Sequence, residues 1–424
     1  MVAGGATSAT FTIGTSGVST STNATISASY GGTSASATLT LTPASLTGLT
    51  ISPNPIPGGA SATGTVSLNG AAPGGGLTIS LLSTTTDASV PPSVVIATGS
   101  STSTFVVTSK AVTKIATGTI TATLGSVTQT VPISVVPAFL ESVSATPSSF
   151  VGGSTTVVTG TVTLAGLVAT KPVTVKLKSS NTKAVKVPGS VVVKVGNDSV
   201  NFVVSHLKVT STESVTITAT YGTATQTTVL TVNPFVITSF SISPATVPGG
   251  KTSEGYLTLN AVPKSAVLVK LISNSKAVIV PVGVNVPANA TSETFKITTK
   301  AVGTVTTATV TAGLGTQTEQ ATLTVEPPVL ETVKVAPATV KGSSGSPVIG
   351  TVTISGDAPG GGLPVSLTSS DPTIVTVPAV ATVASGRTSV TFKVTHKTVT
   401  TTTDVTITAT LAGVSVTTTL TVTP

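Results

Sequence analysis

Along Phe392–Pro424, valine, isoleucine and leucine alternate with threonine in three runs, separated by short polar turns and closed by a proline. A period of two is that of a strand with one face on a core and the other in water. The same signature ends at Pro43, Pro137, Pro234 and Pro327, and a phenylalanine opens each copy, at Phe11, Phe105, Phe202, Phe295 and Phe392. Successive phenylalanines lie 94, 97, 93 and 97 residues apart. A spacing that regular, and of that size, marks a tandem array of domains.

The 424 residues divide into a leading fragment, 1–43, and four repeats, 44–137, 138–234, 235–327 and 328–424. Each repeat opens with a strand that ends at Pro53, Pro147, Pro244 or Pro337 and runs into a Pro/Gly turn such as "PNPIPGG". Proline removes a ladder donor and glycine permits positive φ, so this punctuation predicts a strand break or a corner where the chain changes sheets. The next strand starts near Gly64, Gly160, Gly255 or Gly350. An "APGGGL"-type turn follows, read as a hairpin loop. Then comes a strand carrying Ile79 and Leu81 or their counterparts, and a short apolar strand containing Val90, Val187, Val280 or Val377. About seven strands per repeat, with turn signals between them and no helical period, predict an all-β chain of tandem immunoglobulin-like β-sandwiches. The junctions "TLTPASL", "SVVPAFL", "TVNPFVI" and "TVEPPVL" hold no Gly/Ser linker. Connectors this short and this rich in proline restrict the angle between domains, so the array is expected to form a rod.

Residues 1–43 correspond to the second half of a repeat, with strands expected at Ala9–Ile13, Ala24–Ser29 and Ala37–Leu41. Strands without a facing sheet expose an apolar face and unpaired edges. Phe11, Ile13, Ile26, Leu39 and Leu41 are therefore the candidate assembly interface. The front half that would cover them is expected either from a neighbour that exchanges half a domain or from an upstream part of the same polypeptide, the second being favoured.

Composition leaves little room for chemistry. Charged residues are 8% of the chain and aromatics 3%, there is no cysteine or tryptophan, and the net charge is +8. By repeat that charge is +1, +4, +2 and +1, with Lys176, Lys178, Lys183, Lys186 and Lys194 in the second. Solvated strand lysines that blunt edge pairing account for it. One arginine, Arg387, and so few aromatics argue against a nucleic-acid partner. No apolar run is long enough to predict a membrane span. Asp87, Asp198, Asp357, Asp371 and Asp404 are too scattered for a calcium loop, and the two histidines, His206 and His396, stand two repeats apart. Both are read as surface or strand-end residues. An isopeptide link from Lys176 or Lys270 lacks a glutamate partner. No catalytic, cofactor or metal site is expected, and the chain is read as a non-enzyme.

The tract Gly350–Pro424, "GTVTISGDAPGGGLPVSLTSSDPTIVTVPAVATVASGRTSVTFKVTHKTVTTTTDVTITATLAGVSVTTTLTVTP", resembles the tandem bacterial immunoglobulin-like repeats of large secreted and surface-anchored proteins. The resemblance extends over the fragment and all four repeats. It implies an extracellular or cell-surface location and a structural role in a rod or filament, self-associating or continuing into further repeats. The alternative is an adhesin or glycan-binding module, for which Tyr30, Tyr221 and Tyr256 are the aromatics at hand. Asn23, Asn197 and Asn289 fit the N-glycan acceptor pattern.

Overall fold

The computed structural model describes residues 1–424 and contains strands and turns but no helix. It divides into two compact units. One comprises Met1–Ser148, Val157–Ser205 and Ser214–Leu230; the other comprises Ser149–Thr156, His206–Glu213 and Thr231–Pro424. The first holds the leading fragment, repeat one and most of repeat two. The second holds the rest of repeat two with repeats three and four.

The fragment forms one antiparallel hairpin, β1 (Thr22–Tyr30) with β2 (Thr33–Leu41). Repeat one then adds nine strands: β3 (Leu46–Ser52), β4 (Ile56–Pro57), β5 (Ser61–Leu68), β6 (Leu77–Ser83), β7 (Ala88–Ser89), β8 (Ser93–Ile96), β9 (Thr102–Ser109), β10 (Ala116–Leu124) and β11 (Val127–Val136). Seven of these are four residues or longer, and β4 and β7 are two-residue edge pieces. They form two sheets, in the orders β3-β5-β9-β7 and β4-β11-β10-β6-β8. The other repeats reproduce both orders with equivalent strands. Tandem immunoglobulin-like β-sandwiches are thus the architecture.

The binary pattern explains which faces close. In β5, Val66 and Leu68 are buried, and Ile79 and Leu81 in β6 meet them from the other sheet together with Ile120, Ala122, Ile133 and Val135. Repeats three and four bury equivalent clusters of valine, leucine, isoleucine and alanine, with two phenylalanines in repeat three and one in repeat four. Such residues pack a thin two-layer core without placing polar atoms in it.

Three local expectations are refined. The Pro/Gly punctuation is indeed a sheet-switching corner: β3 ends before Pro53, and β4 joins the other sheet by pairing parallel to β11. The "APGGGL" loop is not a hairpin, because β5 and β6 belong to different sheets; it crosses between layers, with Gly75 and Gly76 at φ 93 and 75. The short apolar strand near Val90 is two strands. A proline pair divides it, so Ala88–Ser89 pairs with β9 and Ser93–Ile96 with β6 on the opposite sheet, leaving Val90 between them.

Candidate functional site

The phenylalanine that marks the period has a defined partner. In each whole repeat it lies directly opposite a glycine on the neighbouring strand: Phe105 opposite Gly64, Phe202 opposite Gly160, Phe295 opposite Gly255 and Phe392 opposite Gly350. The ring lies over the glycine so closely that a Cβ there would stand 2.1–2.2 Å from the ring's Cζ. A large aromatic thereby fills the space that a missing side chain leaves and fixes the register.

The fragment has no such glycine strand, and its first expected strand is absent. Residues 7–18 carry no ladder, Phe11 is 71% exposed and Ile13 is 46% exposed, whereas the four partnered phenylalanines are 5–8% exposed. Ala9–Ile13 is therefore corrected from strand to irregular chain. In repeat one the equivalent strand β9 is held by pairing with β5 over Ser61–Ser67; with that partner missing, alternation alone does not close a ladder.

The rest of the candidate interface is brought together. Register pairs Leu41 with Thr22, Leu39 with Ala24 and Ile26 with Ala37, so Ile26, Leu39 and Leu41 share one face of the hairpin. All three are half-buried. Their counterparts in repeat one, Ile120, Ile133 and Val135, are 0%, 2% and 0% exposed beneath the facing sheet. Phe11 and Ile13 do not join this face through any strand. The hairpin also has two open edges: β10 pairs outward with β6 over Ile120–Thr123, and β11 with β4 at Val135–Val136.

A second recurring contact was not foreseen. In the first unit, the Gly58 carbonyl of repeat one accepts a 2.7 Å hydrogen bond from the Leu167 N–H of repeat two, and a Cβ on Gly59 would collide with the Leu167 side chain. In the second unit, Thr155 N–H of repeat two donates to the Val262 carbonyl at 2.8 Å, and Lys264 N–H of repeat three donates back to Gly153 at 2.9 Å. Val151 packs against the core of repeat three. Farther on, Asp357 N–H donates to the Gly249 carbonyl at 2.8 Å, with the Asp357 side chain over Gly250. The sheet-switching turn of one repeat thus clasps the crossover loop of the next, at three successive junctions. The signal was present in the recurring "PGG"-like turns, but each was read as internal to its own repeat.

His206 sits at the end of strand Ser199–His206, as expected, yet it is buried rather than on the surface, at 4% exposed. Its Nδ1 accepts from the Gly153 N–H at 3.0 Å, so the proton is on Nε2, which donates to the Thr156 carbonyl at 2.8 Å. The Phe150 ring lies 4.7 Å away. Burial pushes the imidazole below its usual pKa, the bond to Thr156 opposes this, and the Lys264 charge adds to the lowering. Ser109 and Thr299 occupy this register in repeats one and three and donate their hydroxyls to the carbonyls of the same turn, at Pro57 and Ala60 and at Lys251. The corresponding His396 is half-buried, with Nε2 3.2 Å from the Ser346 carbonyl.

The lysines of repeats two and three singled out in the sequence face outward. Lys176 and Lys270 are exposed, as are Lys178, Lys183, Lys186 and Lys194. No group of three or more histidine, cysteine, aspartate or glutamate side chains is placed to hold a metal ion. Clefts do recur at the junctions. One of about 250 Å³ is lined by Val209, Pro234, Phe235 and Leu314, and another of about 220 Å³ by the equivalent Val112, Pro137 and Ala138 with Tyr221.

No protein-family model matches the chain, and no curated protein matches it. Among solved structures, it is similar to invasin, a bacterial integrin-binding protein, at 15% identity over 90% of this chain and 79% of that one, with a TM-score of 0.26. It is also similar to the Escherichia coli adhesin FdeC, at 15% identity over 68% and 99%, with a TM-score of 0.27. A tetra-tandem repeat from the extending region of a large adhesion protein gives 14% identity over 86% and 96%, with a TM-score of 0.25. By its own topology and repetition the chain is a tandem array of immunoglobulin-like β-sandwich domains.

Proposed function

We propose that these repeats are a stiff spacer, a structural stretch of an extracellular or cell-surface rod or filament, and that the β1–β2 hairpin is where the front half of another repeat docks. The observation that carries the reading is the contrast at one face. Ile26, Leu39 and Leu41 are only half-buried, while the same positions are sealed in all four whole repeats. The docking half would bring a strand antiparallel to β1, a short parallel piece beside Leu41 and a glycine for Phe11 to cover. Backbone pairing supplies affinity and the alternate side chains supply register. It would come from a second copy or from further repeats of the same polypeptide. The three glycine-turn clasps support stiffness, because each replaces a free linker by paired backbone. The location rests on the resemblance of the repeats to those of surface proteins.

Electron microscopy of the purified chain is expected to show fibres or end-joined particles through the hairpin. Monodisperse particles of four domains at every concentration would overturn docking by a second copy, and with it the filament.

A second reading, an adhesin or glycan-binding module, draws on Tyr221, the aromatic in the cleft between repeats one and two. Aromatic faces hold sugar rings by stacking, and a cleft with one such face suits a single residue of a glycan. Under that reading a glycan array returns hits that Tyr221→Ala abolishes, and an array without hits removes it.

A further inference from the structure

The clasps differ in the side chain beneath the turn: at two of them a hydroxyl secures it, and at the one between repeats two and three an imidazole does. We propose that His206 makes this junction acid-sensitive, so that protonation releases repeat three from the turn Gly152–Thr156 while the other two clasps hold.

The geometry carries this. His206 bonds both ends of the turn that grips repeat three, through Gly153 on Nδ1 and Thr156 on Nε2. The same turn makes the interdomain bonds: Gly153 accepts from Lys264, and Thr155 donates to Val262. Ser154 also bridges to Pro263. Nδ1 must be unprotonated to accept from Gly153. A proton there sets two donors against each other and leaves a buried N–H without its acceptor.

The charges around the ring reinforce the effect. Lys264 on the facing loop repels an imidazolium, and the Lys208 stem lies against Gly153. The ring's third neighbour, Phe150, is apolar, and no carboxylate contributes a compensating attraction.

The sign follows directly. The folded pKa lies below the unfolded value of 6.5, so the unfolded or released state binds the extra proton first. The stabilisation is complete above that unfolded value and is lost as the pH falls through the folded one. Ser109 and Thr299 do not titrate in this range, and their hydroxyls donate to turn carbonyls at any of these pH values. The pH response is therefore confined to one junction.

Hydrogen exchange of the intact chain, corrected for the pH dependence of chemical exchange, tests it. Between about pH 7 and about pH 5 the protection of the Thr155 and Lys264 amides is expected to fall roughly tenfold or more, one power of ten for each unit by which the proton is preferred in the released state. The Leu167 and Asp357 amides, which serve the other two clasps, are expected to keep their protection. His206→Thr, the residue at this register in repeat three, is expected to keep the clasp closed at both values. Protection of Thr155 and Lys264 that is unchanged in the wild-type chain at about pH 5 overturns the proposal, whether or not the ring titrates. So does an equal loss in His206→Thr, or an equal loss at all three clasps. Should His206→Thr fail to fold, the wild-type comparison of the three clasps decides alone.

Discussion

Gly350→Ala is expected to destabilise repeat four by about 2–3 kcal/mol, an overpacking cost at the upper end of its usual range. A Cβ at this position would stand 2.1 Å from Cζ and 2.2 Å from Cε2 of Phe392. The ring cannot step aside freely, because Phe392 is 6% exposed and belongs to the core of its repeat. It has only two torsions, and both are committed. The complementary change, Phe392→Ala, removes the ring and leaves a bare glycine opposite a cavity, which should cost about 3–4 kcal/mol. In Gly350→Ala combined with Phe392→Leu the smaller side chain makes room for the new methyl, so the double variant should be more stable than the sum of the single costs, by about 1 kcal/mol. Exchange of the amides in Val348–Ile354 and Ser389–His396 measures these variants together with Phe392→Leu alone, which closes the cycle, with repeat one as an internal reference. Strictly additive costs, or a change below about 0.5 kcal/mol for Gly350→Ala, would show that the crossing does not set the register.

The same crossing shows how far the sequence could be read. The alternation placed most of the longer strands of the whole repeats, because a half-buried strand writes its pleat into the sequence. Sheet membership was less visible. Ala88–Ser89 and Ser93–Ile96 look like one apolar run, and only the proline pair between them sends the two halves to opposite layers. Nor does alternation report whether a ladder partner exists. "ATFTI" at the start of the chain has the pattern of a strand, and no strand forms there because its glycine-bearing neighbour is missing.

His206 was placed at the right end of its strand and misjudged in burial, for a related reason. Threonine and serine at the same register made it look like a solvent position. In the fold that register points under the sheet-switching turn, where any residue must satisfy backbone groups out of water. The clasps were hidden because their partners lie roughly a hundred residues apart, and nothing local marks a carbonyl as an interdomain acceptor.

Leu39→Asp is the change expected to matter most for assembly. In the free chain Leu39 is half-buried on an open hairpin, so a carboxylate there keeps its water and the hairpin loses little. When a front half docks, the position should become what Ile133 is in repeat one, 2% exposed beneath the facing sheet. A charge sealed there without a partner costs several kcal/mol, enough to weaken docking by a hundredfold or more on the order of each 1.4 kcal/mol counting tenfold. Ser36→Asp adds the same charge to the opposite face of the same strand, where Ser36 pairs with Ser27 and both are exposed. It should leave assembly intact. Sedimentation and microscopy of the two variants beside the wild-type chain separate the causes. Loss in both would mean that net charge alone governs association. Retention in both would mean that the hairpin face is not the docking surface, since no packed sheet accepts an unpaired aspartate at a position that the whole repeats fill with buried isoleucine or leucine.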